Sequence, residues 1–196
     1  MTFIKLYLAE LPSTDVFGEV LPVERNEEIL ACSDKKVKRE KYFVWKLLEK
    51  VLLDFHGIAD LALAKKNPSG KWEGLGVHFS LSHSKNLLAV AVSDSVVGVD
   101  VQVERPLKNQ GVIEKVFSEF EREEFFKNDE FFDAEIIKAW TKKESVFKML
   151  GESNFLKIAK HLNIANVQTF EFVLNDEKYH LAVSGQGKIE TIKVHI

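Results

Sequence analysis

One cysteine, Cys32, is all the thiol the chain contains. An internal disulfide and a thiolate cluster for zinc are both excluded, and a reducing compartment fits best. Long hydrophobic runs are missing as well: no stretch of about 18 uncharged residues occurs, so no membrane-spanning helix and no membrane partner are expected. The first residues, Met1-Thr2-Phe3-Ile4-Lys5, do not form a basic segment followed by an apolar run, and the expected location is cytoplasmic. Gly70-Lys71-Trp72-Glu73-Gly74 has neither the Walker nor the dinucleotide-loop spacing. No Gly-x-Ser-x-Gly elbow is present, and the six histidines show no pairing at metal-ligand spacing. With 45% hydrophobic against 29% charged residues, the chain can nevertheless bury a core and does not read as a disordered tail.

The net charge of −3 argues against general affinity for nucleic acid, and no such partner is expected. The charges are segregated. Residues 35–50 carry seven basic side chains against Glu40 and Glu49, and residues 119–135 carry eight acids against Arg122 and Lys127. Taken alone, either run is a solvated helix face; the basic one is also suited to an anionic ligand or an acidic protein surface.

The pattern along the chain predicts a strand over residues 3–9, one helical stretch from 23 to about 55 closed by His56-Gly57, and a turn at 67–71. Strands follow over 77–83, 87–92 and 96–103, with Ser93-Asp94-Ser95 as a hairpin tip. After Pro106 the spacing turns helical, around 118–127 and more strongly over 134–150, closed by Gly151. Residues 169–174, 179–183 and 189–196 read as an antiparallel meander. The segment 86–93 is similar to 178–185, a hint of duplication. The expected fold is α+β: two related halves, 1–105 and 106–196, forming a pseudo-dimer in one chain, each with an antiparallel sheet on helices and the site at their interface.

Side chains of a strand alternate in direction, so Asp100 and Gln102 share one face of 96–103 and the valines share the other. A carboxylate beside an amide oxygen suits a hard cation such as Mg²⁺. On a helical wheel Glu144 lies about 40° from Trp140 and inside the apolar stripe of 136–148. A carboxylate there needs a nearby cation or donor. Lys148, one turn on, is one candidate through a helix salt bridge; a site for metal and phosphate is the other. His83, between Ser82 and Ser84 at a strand end, is either structural or a phosphate ligand.

Together, Phe79-Ser80-Leu81-Ser82-His83-Ser84, Gly98-Val99-Asp100-Val101, Phe117-Ser118-Glu119-Phe120-Glu121 and Trp140-Thr141-Lys142-Lys143-Glu144-Ser145-Val146-Phe147-Lys148 resemble the 4′-phosphopantetheinyl transferase superfamily. The resemblance covers roughly residues 65–185 and is greatest to the monomeric, surfactin-synthetase type with two related halves. It implies transfer of the phosphopantetheine arm of coenzyme A to a serine of an apo acyl or peptidyl carrier protein, releasing adenosine 3′,5′-bisphosphate. By match to the motif, Asp100, Gln102, Glu121 and Glu144 would surround Mg²⁺. Glu144, or a metal-bound water beside it, would accept the serine proton and Lys148 would neutralise the phosphate. Lys71, Ser82 and His83 would bind coenzyme A, on the N-terminal half, with the metal and the catalytic helix on the C-terminal half. The chain departs from the motif at Trp72, where relatives often have proline, and at Gln102, where they have an acid. Two other readings stay open: a coenzyme A or carrier-protein binding module without turnover, and a metal-dependent phosphohydrolase using Asp100, Glu121 and Glu144.

Overall fold

The computed structural model describes residues 2–106, 110–125 and 133–196. Strand β1 (Phe3–Glu10) is apolar on both faces and lies inside a four-stranded sheet, between β5 (Leu87–Ser93) and β9 (Lys188–Lys193), with β4 (His78–Ser84) outside β5. On one face Tyr7, Val90 and Val92 pack against Trp45, Leu48 and Val51. These come from helix α2 (Lys35–His56), an amphipathic helix whose buried positions follow the expected spacing. The other face, with Ile4, Leu6, Leu8, Ala89 and Ala91, meets a second sheet in one apolar layer. That second sheet has the order β6 (Val97–Val103), β8 (Glu177–Gly185), β7 (Gln168–Leu174). A two-stranded ribbon, β2 (Lys65–Lys66) and β3 (Trp72–Glu73), flanks the turn at 67–71.

The sheets are also stitched along an edge. The Oγ atoms of Ser80, Ser82 and Ser84 on β4 accept hydrogen bonds from the backbone N–H of Val99, Val101 and Val103 on β6, at 3.0, 3.1 and 2.9 Å. These serines lie opposite Ala91, Ala89 and Leu87 in the β4–β5 register, so this stretch of the face is mostly small and β6 can approach it.

The described residues further form α3 (Gln110–Val116), α4 (Glu119–Phe125), α5 (Asp133–Leu150), α6 (Phe155–Ile158) and a 3₁₀ turn at Ala159–His161. Ile113, Phe117, Phe125, Ile136 and Ala159 form a third apolar cluster. Helix α5 lies on the outer face of β6 and β8, closely enough that a Cβ on Gly98 would stand 1.9 Å from the carbonyl oxygen of Ser145.

The mixed α+β class agrees with the sequence expectation, and the sheets are antiparallel except where β9 joins β1. Three local expectations do not hold. The stretch from 23 to 55 is two helices, α1 (Val23–Leu30) and α2, because the Asp34 side chain accepts from the Val37 N–H at 3.0 Å and starts a new helix. Residues 93–95 are not a hairpin tip: both edges of β5 are taken by β4 and β1, so β6 continues in the other sheet. The terminal meander likewise stops after β7 and β8. Both edges of β8 are occupied, and β9 pairs parallel with β1 instead. The expectation of helix to Lys127 runs past Phe125 into residues outside those described. Among the described residues no helix is long and apolar enough to cross a membrane.

Gly98→Ala should cost at least about 2 kcal/mol, because the methyl group forces α5 off β6. Urea unfolding measures this; an unchanged midpoint would show that α5 is not seated on this glycine.

Candidate functional site

Asp100 is 2% exposed and is held from three directions. Ser82 donates its hydroxyl proton to Oδ1 at 2.8 Å, the Lys148 ammonium lies 2.7 Å from the same oxygen, and the Gln102 amide nitrogen donates to Oδ2 at 3.1 Å. Lys148 also donates to Ser82 Oγ at 3.1 Å. Of the two partners considered for Glu144, the i,i+4 pairing with Lys148 is not formed: the ammonium bridges across to β6, where the carboxylate is more deeply buried.

Glu144 is half-buried and has no hydrogen bond or ion pair among the described residues. Burial first, and then the charge of Asp100, push its carboxyl from 4.5 up to about 7, against the opposing pull of Lys148. Two carboxylates close enough to feel each other thus share one ammonium. The stripe centred on Trp140 is not sealed in a core as the wheel predicts. Trp140 and Phe147 are half-buried beside Phe155, at ring separations of 5.3 and 5.4 Å, whereas Ile136 and Ile137 at the start of the stripe are buried, together with Thr141, Lys143, Ser145 and Val146.

Two cavities are each lined by one partner of Asp100. Lys148 lines a cleft of about 210 Å³ with Lys71, Trp72, Phe79, Ser80 and Phe147. Gln102 lines a charged cavity of about 420 Å³ with Lys36, Glu40, His83, Lys85 and Arg105. Asp100, bonded to both Lys148 and Gln102, lies at the partition.

The residues expected in the site are distributed as follows. His83 is at the rim of the charged cavity, its Nδ1 3.2 Å from the buried Glu40 carboxylate. Ser82, expected to bind phosphate, is 4% exposed and has its hydroxyl committed to Asp100, Lys148 and the Val101 N–H. Lys71, expected to contact the cofactor, lines the cleft but directs its ammonium to the carbonyls of Val97, Lys148 and Met149, at 3.3, 2.8 and 3.2 Å. It caps the C-terminus of α5, where the helix dipole favours a cation. Burial lowers the affinity of that amine for its proton, against the pull of Glu73. Gln102 offers Asp100 its nitrogen.

Glu121, expected near the metal, is engaged elsewhere. Its Oε1 pairs with Lys143 at 2.8 Å, and its Oε2 accepts from both the N–H and the hydroxyl of Ser118, a capping box at the start of α4. Lys143 is 0% exposed, donates to the Ala159 carbonyl at 2.8 Å and lies 5.5 Å from the Phe117 ring centroid. The Ser-x-x-Glu spacing could have signalled this cap from sequence. Of the basic run, Lys46, Lys50 and Arg39 pair with Glu49, Asp54 and Asp15, and Lys36 reaches the charged cavity.

Among the described residues no group of three or more His, Cys, Asp or Glu side chains is arranged to hold a metal ion. The donor set at the cluster is two carboxylates, Asp100 fully bonded and Glu144 without a hydrogen-bond partner among the described residues. That set fits a hard cation that completes its shell with water and phosphate oxygens.

Residues 96–191 match a family model described as the 4′-phosphopantetheinyl transferase superfamily. The similarity supports transferase chemistry in general and takes in Asp100, Glu144 and Lys148. No curated protein matches the chain.

A carboxyl raised from 4.5 to about 7 holds a proton that the unfolded chain releases between those values, so it lowers folded-state stability as pH rises through that window. In chelator-treated protein, Glu144→Gln should therefore raise the unfolding free energy measured in urea above about pH 7, by about 1 kcal/mol or more, and change it little below about pH 4.5. Equal unfolding free energies at both ends would mean that Glu144 is not destabilised by its site.

Proposed function

We infer that the chain transfers the 4′-phosphopantetheine arm of coenzyme A to a serine of an apo carrier protein. The observation that carries this reading is the cluster at the partition: Asp100 on the strand, Glu144 and Lys148 one turn apart on α5, between a charged cavity and an aromatic-walled cleft. The charged cavity, where Lys36 and Arg105 stand beside His83 and the carboxylates of Glu40, Glu104 and Glu177, with Lys85 held by Glu177, offers cations to the phosphates of the nucleotide end. The cleft walled by Trp72, Phe79 and Phe147 suits the less polar arm.

Asp100 and Glu144 would hold Mg²⁺, which when bound supplies charge neutralisation on the pyrophosphate. The serine oxygen attacks the phosphorus bearing the arm, the bond from that phosphorus to the leaving oxygen breaks, and adenosine 3′,5′-bisphosphate departs. Glu144, directly or through a water, accepts the serine proton. Lys148 neutralises the phosphate in transfer, because phosphoryl-type chemistry needs positioning and charge more than covalent help. In this reading the protein works as a monomer whose two related halves place the nucleotide on 1–105 and the catalytic helix on 106–196. Gln102 and Ser82 act through Asp100, and Glu121 acts through Lys143.

Incubation with coenzyme A, Mg²⁺ and an apo carrier should give a carrier heavier by the mass of the arm, with stoichiometric adenosine 3′,5′-bisphosphate. Glu144→Gln should fold and lose at least about 10²-fold in rate, as expected for removal of a general base. Release of inorganic phosphate without a carrier would favour a phosphohydrolase. Binding of coenzyme A without any mass gain, across acyl and peptidyl carriers, would favour a binding module.

A further inference from the structure

Lys148 is called on for two positions. As a partner of the transferred phosphate its ammonium must face the substrate, yet it lies 2.7 Å from Asp100 Oδ1, on the most buried carboxylate of the site. A carboxylate oxygen so occupied cannot also take a divalent cation at roughly 2.0–2.1 Å, because the two positive charges would be pressed together. The other oxygen of Asp100 is already an acceptor for Gln102. In the arrangement seen, the ammonium occupies the carboxylate oxygen that a cation on Asp100 would need.

The same ammonium has a second holder. Ser82 Oγ accepts from it at 3.1 Å, so it can release Asp100 and keep one hydrogen bond. The backbone beneath it is pinned: Lys71 donates to the carbonyls of Lys148 and Met149, and Gly98 lets α5 sit directly on β6. A change of partner therefore falls to the flexible four-carbon stem of Lys148 and needs no helix movement.

We propose that Lys148 is a built-in place-holder for the divalent cation. Without metal, its ammonium neutralises Asp100. When a metal ion takes Asp100 and Glu144, Lys148 gives up Oδ1, stays tethered at Ser82 and turns to the phosphate. The inference rests on the reading of Asp100 and Glu144 as the metal holders. It adds that the free protein binds the metal weakly because its own lysine competes, and that metal binding and anion binding strengthen each other, each favouring the state in which Lys148 has left Asp100.

Calorimetric titration of the full chain with Mg²⁺ alone, in the absence of coenzyme A, tests this directly. Lys148→Met removes the competing charge at similar length and should bind Mg²⁺ roughly tenfold more tightly than the parent. Lys148→Arg keeps the charge and should bind as weakly as the parent. Asp100→Asn should bind more weakly than either. Mg²⁺ should also raise the thermal midpoint of Lys148→Met more than that of the parent, since Asp100 is left without its cation there. Should the methionine variant not fold, Lys148→Gln, which can keep a hydrogen bond to Ser82, takes its place. Unchanged or weaker Mg²⁺ binding in the neutral variant, or none in either protein, overturns the place-holder. If Asp100→Asn and Glu144→Gln both bind Mg²⁺ as the parent does, the metal site itself is misassigned. If only those carboxylate variants lose binding while Lys148→Met matches the parent, the metal site stands and the exchange does not.

Discussion

Three serine hydroxyls hold the two sheets in register, and the site depends on them. Ser80, Ser82 and Ser84 accept the outward N–H groups of β6, which has β8 on its other edge. A buried N–H left unmatched would cost about 1–3 kcal/mol, so this seam fixes how far β6 slides along β4. The middle serine does more. The Oγ that receives Val101 N–H also donates to Asp100, so strand register and carboxylate orientation are set by one atom. A shift of one residue would turn Asp100 into the apolar layer and Val99 or Val101 toward α5.

Helix α5 shows two treatments of buried charge at consecutive positions. Lys143 is satisfied by a carboxylate, a carbonyl and an aromatic ring, and it ties α5 to the start of α4 and to the 3₁₀ turn. Glu144, about 100° further round the helix, is left without a partner among the described residues and keeps its proton to near neutrality. The first arrangement is that of a buried ion whose task is structural. The second stores unfavourable electrostatics that a cation or a proton relieves, which is where chemistry is to be sought.

Much of this was legible in the sequence, for reasons that differ between residues. Strand alternation placed Asp100 and Gln102 on one face, and helical spacing placed Glu144 and Lys148 one turn apart. Those are short-range geometric facts. What lay beyond reach was long-range: which edge of a strand is already occupied decides where β6 and β9 go, and that depends on residues far away in the chain. The same holds for side-chain partners. Lys148 takes Asp100 over the nearer Glu144, Lys71 caps a helix 77 positions on, and Glu121 is drawn to Lys143. The alternating serines 80, 82 and 84 were visible as a pattern, but a hydroxyl ladder is meaningful only once the strand it faces is known.

The parallel pairing of β9 with β1 imposes an order on assembly. Ile4, Leu6 and Leu8 belong to the layer between the sheets, yet one edge of their strand stays bare until residues 188–193 arrive in register with 3–8. A nascent or partly opened chain therefore displays an apolar strand with free N–H and C=O groups, which any extended segment of matching length can cover. At high concentration the nearest such segment is the 188–193 strand of another copy. Closure within one chain and exchange between two chains then make the same hydrogen bonds, and the outcome turns on concentration and on how quickly the serine seam brings the halves of one chain together.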